Sequence, residues 1–148
     1  MQITFNLPHV FGPESNQAMN SEVLELLEET LIGMNLAVLR LAKRLKYPLP
    51  PLYRAGVRYG RTTLWEPIPA LYGRKFGDCK SLAAARIAEL RFQGIPAKAV
   101  HRWDPQPDGS YNYHILVQTR KGWEDPSREL GMGQNENSLL IPEERIKL

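Results

Sequence analysis

The chain has a single cysteine, Cys79, in the stretch GDCK at 77–80, one residue after an aspartate and where an alanine-rich apolar stretch begins. A lone cysteine is usually a small buried apolar residue, but this placement opens other chemistry. Gly77 permits a sharp turn, and the first turn of a helix carries unpaired backbone N–H groups at the positive end of the helix dipole. Both favour thiolate over thiol, so the position predicts a lowered pKa, reinforced by Arg74, Lys75 and Lys80 close by in sequence. The same N–H groups can bind an oxyanion. A thiolate nucleophile also needs a base and a group that orients the base. Of the three histidines, His9 lies in an N-terminal loop, His101 on a strand leading away from the helix, and His114 on the next strand, YHILVQT at 113–119. Asp125 follows in WEDPS, where Asp-Pro is also a common turn opening. Neighbouring strands lie about 5 Å apart, so His114 and Asp125 can sit side by side. The expected relay has His114 Nδ1–H donating to Asp125 and Nε2 facing the Cys79 sulfur.

Several elements must position these groups. QITFNL at 2–7 alternates as a strand does, and His9 to Gln17 reads as a loop. A long helix follows, capped by Asn20 or Ser21, with acidic residues in its first half and Arg40, Lys43, Arg44 and Lys46 near its end. Leu24, Leu27, Leu31, Val38, Leu41 and Leu45 form its expected packing stripe. Pro48, Pro50 and Pro51 stop it. The segment 52–76 suggests one irregular strand or turn, followed by WEPIPAL. Residues 78–92 predict a largely buried helix ended by Gly94, with Pro96 barring its continuation. Strands at 97–103 and 113–119 flank a polar hairpin loop, DPQPDGS. Lys121-Gly122 turns the chain into WEDPSRELGM, and a short strand, IKL, is expected in the tail. Trp103 and Trp123 are expected to pack in the core or the hairpin. GMGQNEN at 131–137 reads as a surface loop.

At 148 residues, 43% hydrophobic and 24% charged, the chain is of a size and composition to build one hydrophobic core, which excludes a mainly disordered state. No internal disulfide can form from one cysteine. The first ten residues carry no signal-peptide pattern, and the most apolar run, LIGMNLAVL, is too short to span a membrane. A cytoplasmic protein with no membrane partner is expected. The net charge of +3 permits an acidic partner without arguing for one. Within 52–80, six basic residues face two acidic ones, which predicts a solvated basic face; no nucleic-acid motif has the required spacing, so no nucleic-acid partner is expected.

Beyond these residue-by-residue readings, GDCKSLAAARIAEL at 77–90, GIPAKAV at 94–100, YHILVQ at 113–118 and GWEDPSRELGM at 122–132 resemble the transglutaminase-like superfamily, which shares the papain-like cysteine fold. The similarity covers about residues 60–132 and is greatest to small bacteriophage-encoded proteins of that class, several with a stretch similar to PLYRAGVRYG at 51–60. The resemblance implies an α+β fold: a nucleophile helix packed on an antiparallel sheet, with an added N-terminal strand and long helix. One domain over 1–148 is expected, divided into 1–51, a catalytic core at 52–132 and a tail at 133–148. The family's Cys-His-Asp triad falls on Cys79, His114 and Asp125, with Leu116 where many members have an aromatic residue. Larger transglutaminases carry metal-binding loops and extra domains that 148 residues cannot hold, so no metal or other cofactor is expected.

Trp65 is the candidate for a second oxyanion donor, because an indole N–H only donates. Asp78 is read as a helix cap rather than a catalytic group, since a carboxylate beside the nucleophile opposes thiolate formation. The expected function is acyl transfer through a thioester, chiefly hydrolysis of a peptide, isopeptide or other amide bond in a peptide or protein substrate. The alternative is a phage assembly or virion component that reuses the fold with an idle triad and binds another structural protein; a phage-encoded chain would act in the host cytoplasm or the virion.

Overall fold

A computed structural model of the chain describes residues 17–109 and 111–133. The expected strand at 2–7, His9, the IKL strand and most of the 131–137 loop lie outside them. The described residues form a mixed α+β structure: α1 (Gln17–Arg44), a 3₁₀ turn (Leu52–Arg54), β1 (Arg58–Tyr59), α2 (Ile68–Arg74), β2 (Phe76–Gly77), α3 (Cys79–Phe92), β3 (Ala97–Pro105), β4 (Tyr111–Thr119), β5 (Gly122–Glu124) and α4 (Pro126–Glu129). β3, β4 and β5 make a three-stranded antiparallel sheet, and β1 and β2 pair in parallel as a separate two-residue ladder. Among the described residues no helix is long and apolar enough to cross a membrane.

The α3 helix is the central element and packs against α1, β3 and β4. Its alanine-rich sequence favours helix strongly, since alanine loses least on becoming helical. Ala83, Ala84 and Ala88 are fully buried, and their small side chains let Leu31 and Ile32 of α1 and Ile115 and Val117 of β4 close on the helix. On its other side Leu82 and Ala85 join Leu52, Val57, Ile68 and Leu71 in a second cluster. Burying Leu82 and Ile87 stabilises the fold by about 2 kcal/mol each. The helix stops as its sequence suggests. Gly94 takes φ +79°, Ile95 N–H reaches the Leu90 carbonyl at 2.9 Å, and Gly94 N–H reaches that of Arg91 at 3.0 Å.

The α1 helix ends the same way without a glycine. Lys46 adopts φ 53°, and Tyr47 N–H closes on the Ala42 carbonyl at 2.9 Å before Pro48 bars another turn. Its buried face keeps only part of the expected stripe, Leu24 and Leu31 among it. Leu41 and Leu45 are exposed, whereas Asn20, Leu24, Glu28, Leu31, Ile32 and Asn35 are buried. Counting only apolar residues therefore misses three polar positions on the packed face. Asn35 is buried for a reason: its Oδ1 accepts the Ile68 N–H at 2.7 Å, which gives α2 a cap that its own N-cap residue, Pro67, does not supply. This donated cap explains why α2 is a helix inside a segment whose local sequence suggests a turn.

Polar ties fasten the outer pieces to α3. Glu89 Oε1 accepts the Leu52 N–H at 2.5 Å and the Tyr72 hydroxyl at 3.2 Å. Arg86 Nε donates to Glu124 at 2.5 Å, and the Tyr53 hydroxyl donates to the same carboxylate. Glu124 is the last residue of β5, so these contacts hold the strand end that carries Asp125. Of the two expected placements, core or hairpin, neither Trp103 nor Trp123 takes the core: both are exposed. Trp103 packs edge-on against Tyr111 in the hairpin, and Trp123 lies under the Arg102 guanidinium.

Candidate functional site

Cys79 is the first residue of α3. The turn before it is tight because Gly77 lies against the core: a Cβ there would come within 2.5 Å of Leu71 Cδ1. Gly77 is thus needed for close approach rather than for an unusual backbone angle. A strap of chain, residues 62–66, crosses the first turn of α3. Lys80 Nζ donates to the Thr62 carbonyl at 2.6 Å, and the fully buried Ser81 Oγ accepts the Glu66 N–H at 3.0 Å. These ties bring Trp65 beside the nucleophile turn, where Lys80 Nζ lies 5.9 Å from its ring centre. Ser81 is a structural member of the site that sequence reasoning left out, and Lys80, expected only as a nearby positive charge, also ties down the strap; both belong to the GDCKS stretch.

On the sheet side, β5 pairs only with Val117–Thr119, leaving β4 without that neighbour further upstream. There the backbone N–H of Ile115 hydrogen-bonds to the Cys79 sulfur. The preceding residue is His114, whose Nε2 lies 2.9 Å from Asp125 Oδ2. The other oxygen of Asp125, Oδ1, accepts the N–H groups of Ser127 and Arg128 at 3.1 and 3.3 Å and so caps α4. One carboxylate therefore both starts a helix and holds an imidazole. The ring is turned opposite to the expected relay: Nε2, not Nδ1, meets the aspartate. When Nε2 carries the proton donated to Asp125, Nδ1 is the nitrogen with a free lone pair.

The expected low thiol pKa is not what the site produces. Cys79 keeps partial contact with solvent, yet its thiol is pushed up to about 12. Burial is the largest cause, the Asp78 carboxylate is next, and Glu28 adds to it; the Ile115 N–H and the Lys80 cation oppose them without compensating. The nearby cations are mostly engaged elsewhere. Arg74 pairs with Glu66 at 3.0 Å, Lys75 Nζ donates to the Ala55 carbonyl at 2.7 Å, and Lys80 pairs with Asp78. The basic surface expected for 52–80 is correspondingly reduced.

Asp78 occupies the N-cap position of α3, as expected, and the backbone N–H groups of Lys80 and Ser81 act on its carboxylate without reaching the geometry of a full capping hydrogen bond. It turns to Lys80 instead, and its Oδ1 is buried without a hydrogen-bond partner. Burial holds its carboxyl above the usual range despite that cation. Glu28 of α1 is a second group that sequence reasoning missed. It occupies a packed helix position, whereas a pattern search registers a glutamate as surface. His101 sits directly opposite Ile115 in the β3–β4 register, nearer the site than a strand leading away would put it. Burial lowers its pKa.

Among the described residues no group of histidine, cysteine and acidic side chains could hold a metal ion. A surface groove of about 580 Å³ lies between the C-terminal half of α3 and the β4–β5 turn, lined by Arg86, Ile95 and Trp123 among others, and does not include Cys79. The imidazole–carboxylate pair and the Cys79 sulfur thus meet β4 at successive residues, His114 and Ile115. No family model, curated protein or solved structure matches the chain.

Proposed function

We propose that this chain is a cysteine-dependent acyl-transfer protein with a transglutaminase-like core, acting mainly as a hydrolase of amide bonds in peptides or proteins. The observation that carries the reading is the convergence on β4: the Ile115 N–H meets the Cys79 sulfur, and the adjacent His114 is held by Asp125 at 2.9 Å. The Cys79 sulfur attacks an amide carbonyl while its proton passes to His114 Nδ1. The resulting imidazolium is stabilised by Asp125 and returns the proton to the leaving amine as the C–N bond breaks. Water, deprotonated by His114, then cleaves the thioester, releasing a carboxylic acid and restoring the thiol. Because the resting thiol is neutral, proton transfer accompanies attack instead of preceding it. The backbone N–H groups at the start of α3, where Cys79 sits, are the first donors for the carbonyl oxygen, and Trp65, strapped beside them, is the second. Water needs no second binding site, which favours hydrolysis over transfer to an amine.

One observation favours a second reading, in which the chain is an interaction protein, such as a phage particle component, with an idle site. Burial and the Asp78 carboxylate raise the pKa of the thiol, and that opposes a nucleophile. Iodoacetamide labelling of Cys79, with a fluorogenic peptide-amide library as substrate, separates the two. The enzyme reading expects His114→Ala to slow labelling at least tenfold and Cys79→Ala to abolish library cleavage. Labelling slower than a free cysteine and indifferent to His114→Ala, or cleavage surviving Cys79→Ala, overturns it.

A further inference from the structure

Glu28 is fully excluded from solvent, and neither carboxyl oxygen has a hydrogen-bond partner among the described residues. It lies one turn before Leu31 and Ile32, on the face of α1 packed against α3 and its first residue Cys79, and it acts electrostatically on Asp78, Lys80 and Cys79. We propose that Glu28 is a positioning residue that sits behind the nucleophile as a neutral carboxylic acid and, by keeping a second negative charge away from Cys79, sets how readily the thiol gives up its proton. The inference rests on the acyl-transfer reading for its purpose, but not for its physical content.

The assignment follows from how the charges are shared. The start of α3 supplies Asp78, Cys79 and Lys80, and α1 itself supplies Glu29. Lys80 is the nearest cation. It is ion-paired to Asp78 and also donates to the Thr62 carbonyl at 2.6 Å. Glu29 is neutralised by Arg91 at 2.7 Å. Glu66, which acts on Asp78 and Lys80, has Arg74 at 3.0 Å. On β3, His101 faces Glu25 rather than Glu28. Two carboxyls therefore share one cation, and the cation is on Asp78. An isolated carboxylate removed from water neutralises itself when nothing pairs with it, so the proton belongs on Glu28. Burial is accordingly the main reason its pKa stands well above the ordinary value, with Asp78 adding to it. If Glu28 ionised, the thiol would face two carboxylates with one cation between them.

The test compares the wild-type chain with Glu28→Gln, an uncharged isostere, by iodoacetamide labelling of Cys79 across pH and by carbon NMR of carboxyl-labelled glutamate. The expected result is that labelling rates agree within about twofold up to neutral pH, and that the wild type falls about tenfold behind Glu28→Gln once Glu28 titrates, which corresponds to about one pK unit from an added like charge. One glutamate signal should have the position of a protonated carboxyl at neutral pH and be missing from Glu28→Gln. Glu28→Met, which removes the polar atoms at similar length, assigns the same signal if the glutamine variant fails to fold. Superimposable pH profiles, or no protonated signal lost in either variant, would overturn the proposal. These readouts need no substrate. If library cleavage and the His114→Ala effect are both absent while the Glu28 signal and profile behave as expected, the acyl-transfer reading fails and the Glu28 assignment stands.

Discussion

The double duty of Asp125 allows its two roles to be taken apart. Its Oδ1 caps α4 through Ser127 and Arg128, and its Oδ2 holds His114 at 2.9 Å. Asp125→Ala removes both. Loss of an N-cap costs about 1 kcal/mol, which for a domain of this length is about 3 °C in Tm. Asp125→Asn keeps the cap, because the amide oxygen still accepts from the two backbone N–H groups; stability should change by only a few tenths of a kcal/mol. The amide nitrogen then points at His114 and donates to Nε2, which must become an acceptor. The ring proton moves to Nδ1, the nitrogen that has to receive the thiol proton. General-base assistance is worth about 10²–10⁴-fold, so the asparagine variant should lose at least about 10² in His114-assisted reaction at Cys79 while melting like the wild type. Asp125→Ser, whose hydroxyl caps but is too short to reach His114, should behave like asparagine in melting and like alanine in reactivity. Thermal melts and iodoacetamide kinetics on the four proteins provide both readouts. An asparagine variant destabilised as much as alanine, or one that labels at the wild-type rate, would refute the division of labour.

Two further outcomes follow from single buried groups. Asn35→Ala removes the acceptor of the buried Ile68 N–H and should destabilise the fold by about 1–3 kcal/mol in urea unfolding. The Cys79 thiol, pushed up to about 12, stays protonated in the folded chain where an unfolded thiol has ionised, at about 8.5. Its contribution to stability is complete below about pH 8.5 and is lost as pH climbs towards 12. Cys79→Ala should therefore lose less stability than the wild type between about pH 8 and about pH 10, measured by urea unfolding at both values.

Much of this structure is legible without coordinates, where the signal is local. The helix at 78–92, its glycine stop, and the hairpin strands follow from propensity, capping residues and alternation over a few neighbouring residues. The α2 helix is not legible, because its cap comes from Asn35 on another helix. The buried face of α1 is legible only in part: Leu24 and Leu31 of the expected stripe are buried, but Glu28 and Asn35 lie beside them, where a hydrophobic pattern passes over a polar residue.

The site divides in the same way. Residue types, the GDC turn and the Asp-Pro helix start are properties of short stretches, so the amino-acid sequence alone brings Cys79, His114 and Asp125 forward as a set. That His114 comes within reach of Asp125 depends on how β4 and β5 are registered, and which ring nitrogen meets it on how the imidazole is turned. The charge state of the thiol depends on what surrounds it in three dimensions. From GDCK, with basic residues near it in sequence, a stabilised thiolate is expected. In the folded chain Lys80 is paired to Asp78, Arg74 to Glu66, and Lys75 to a backbone carbonyl, while Glu28 arrives from a helix some fifty residues away in sequence. Burial and charge pairing are long-range properties that no sequence window contains, and they decide whether the sulfur of Cys79 carries a proton.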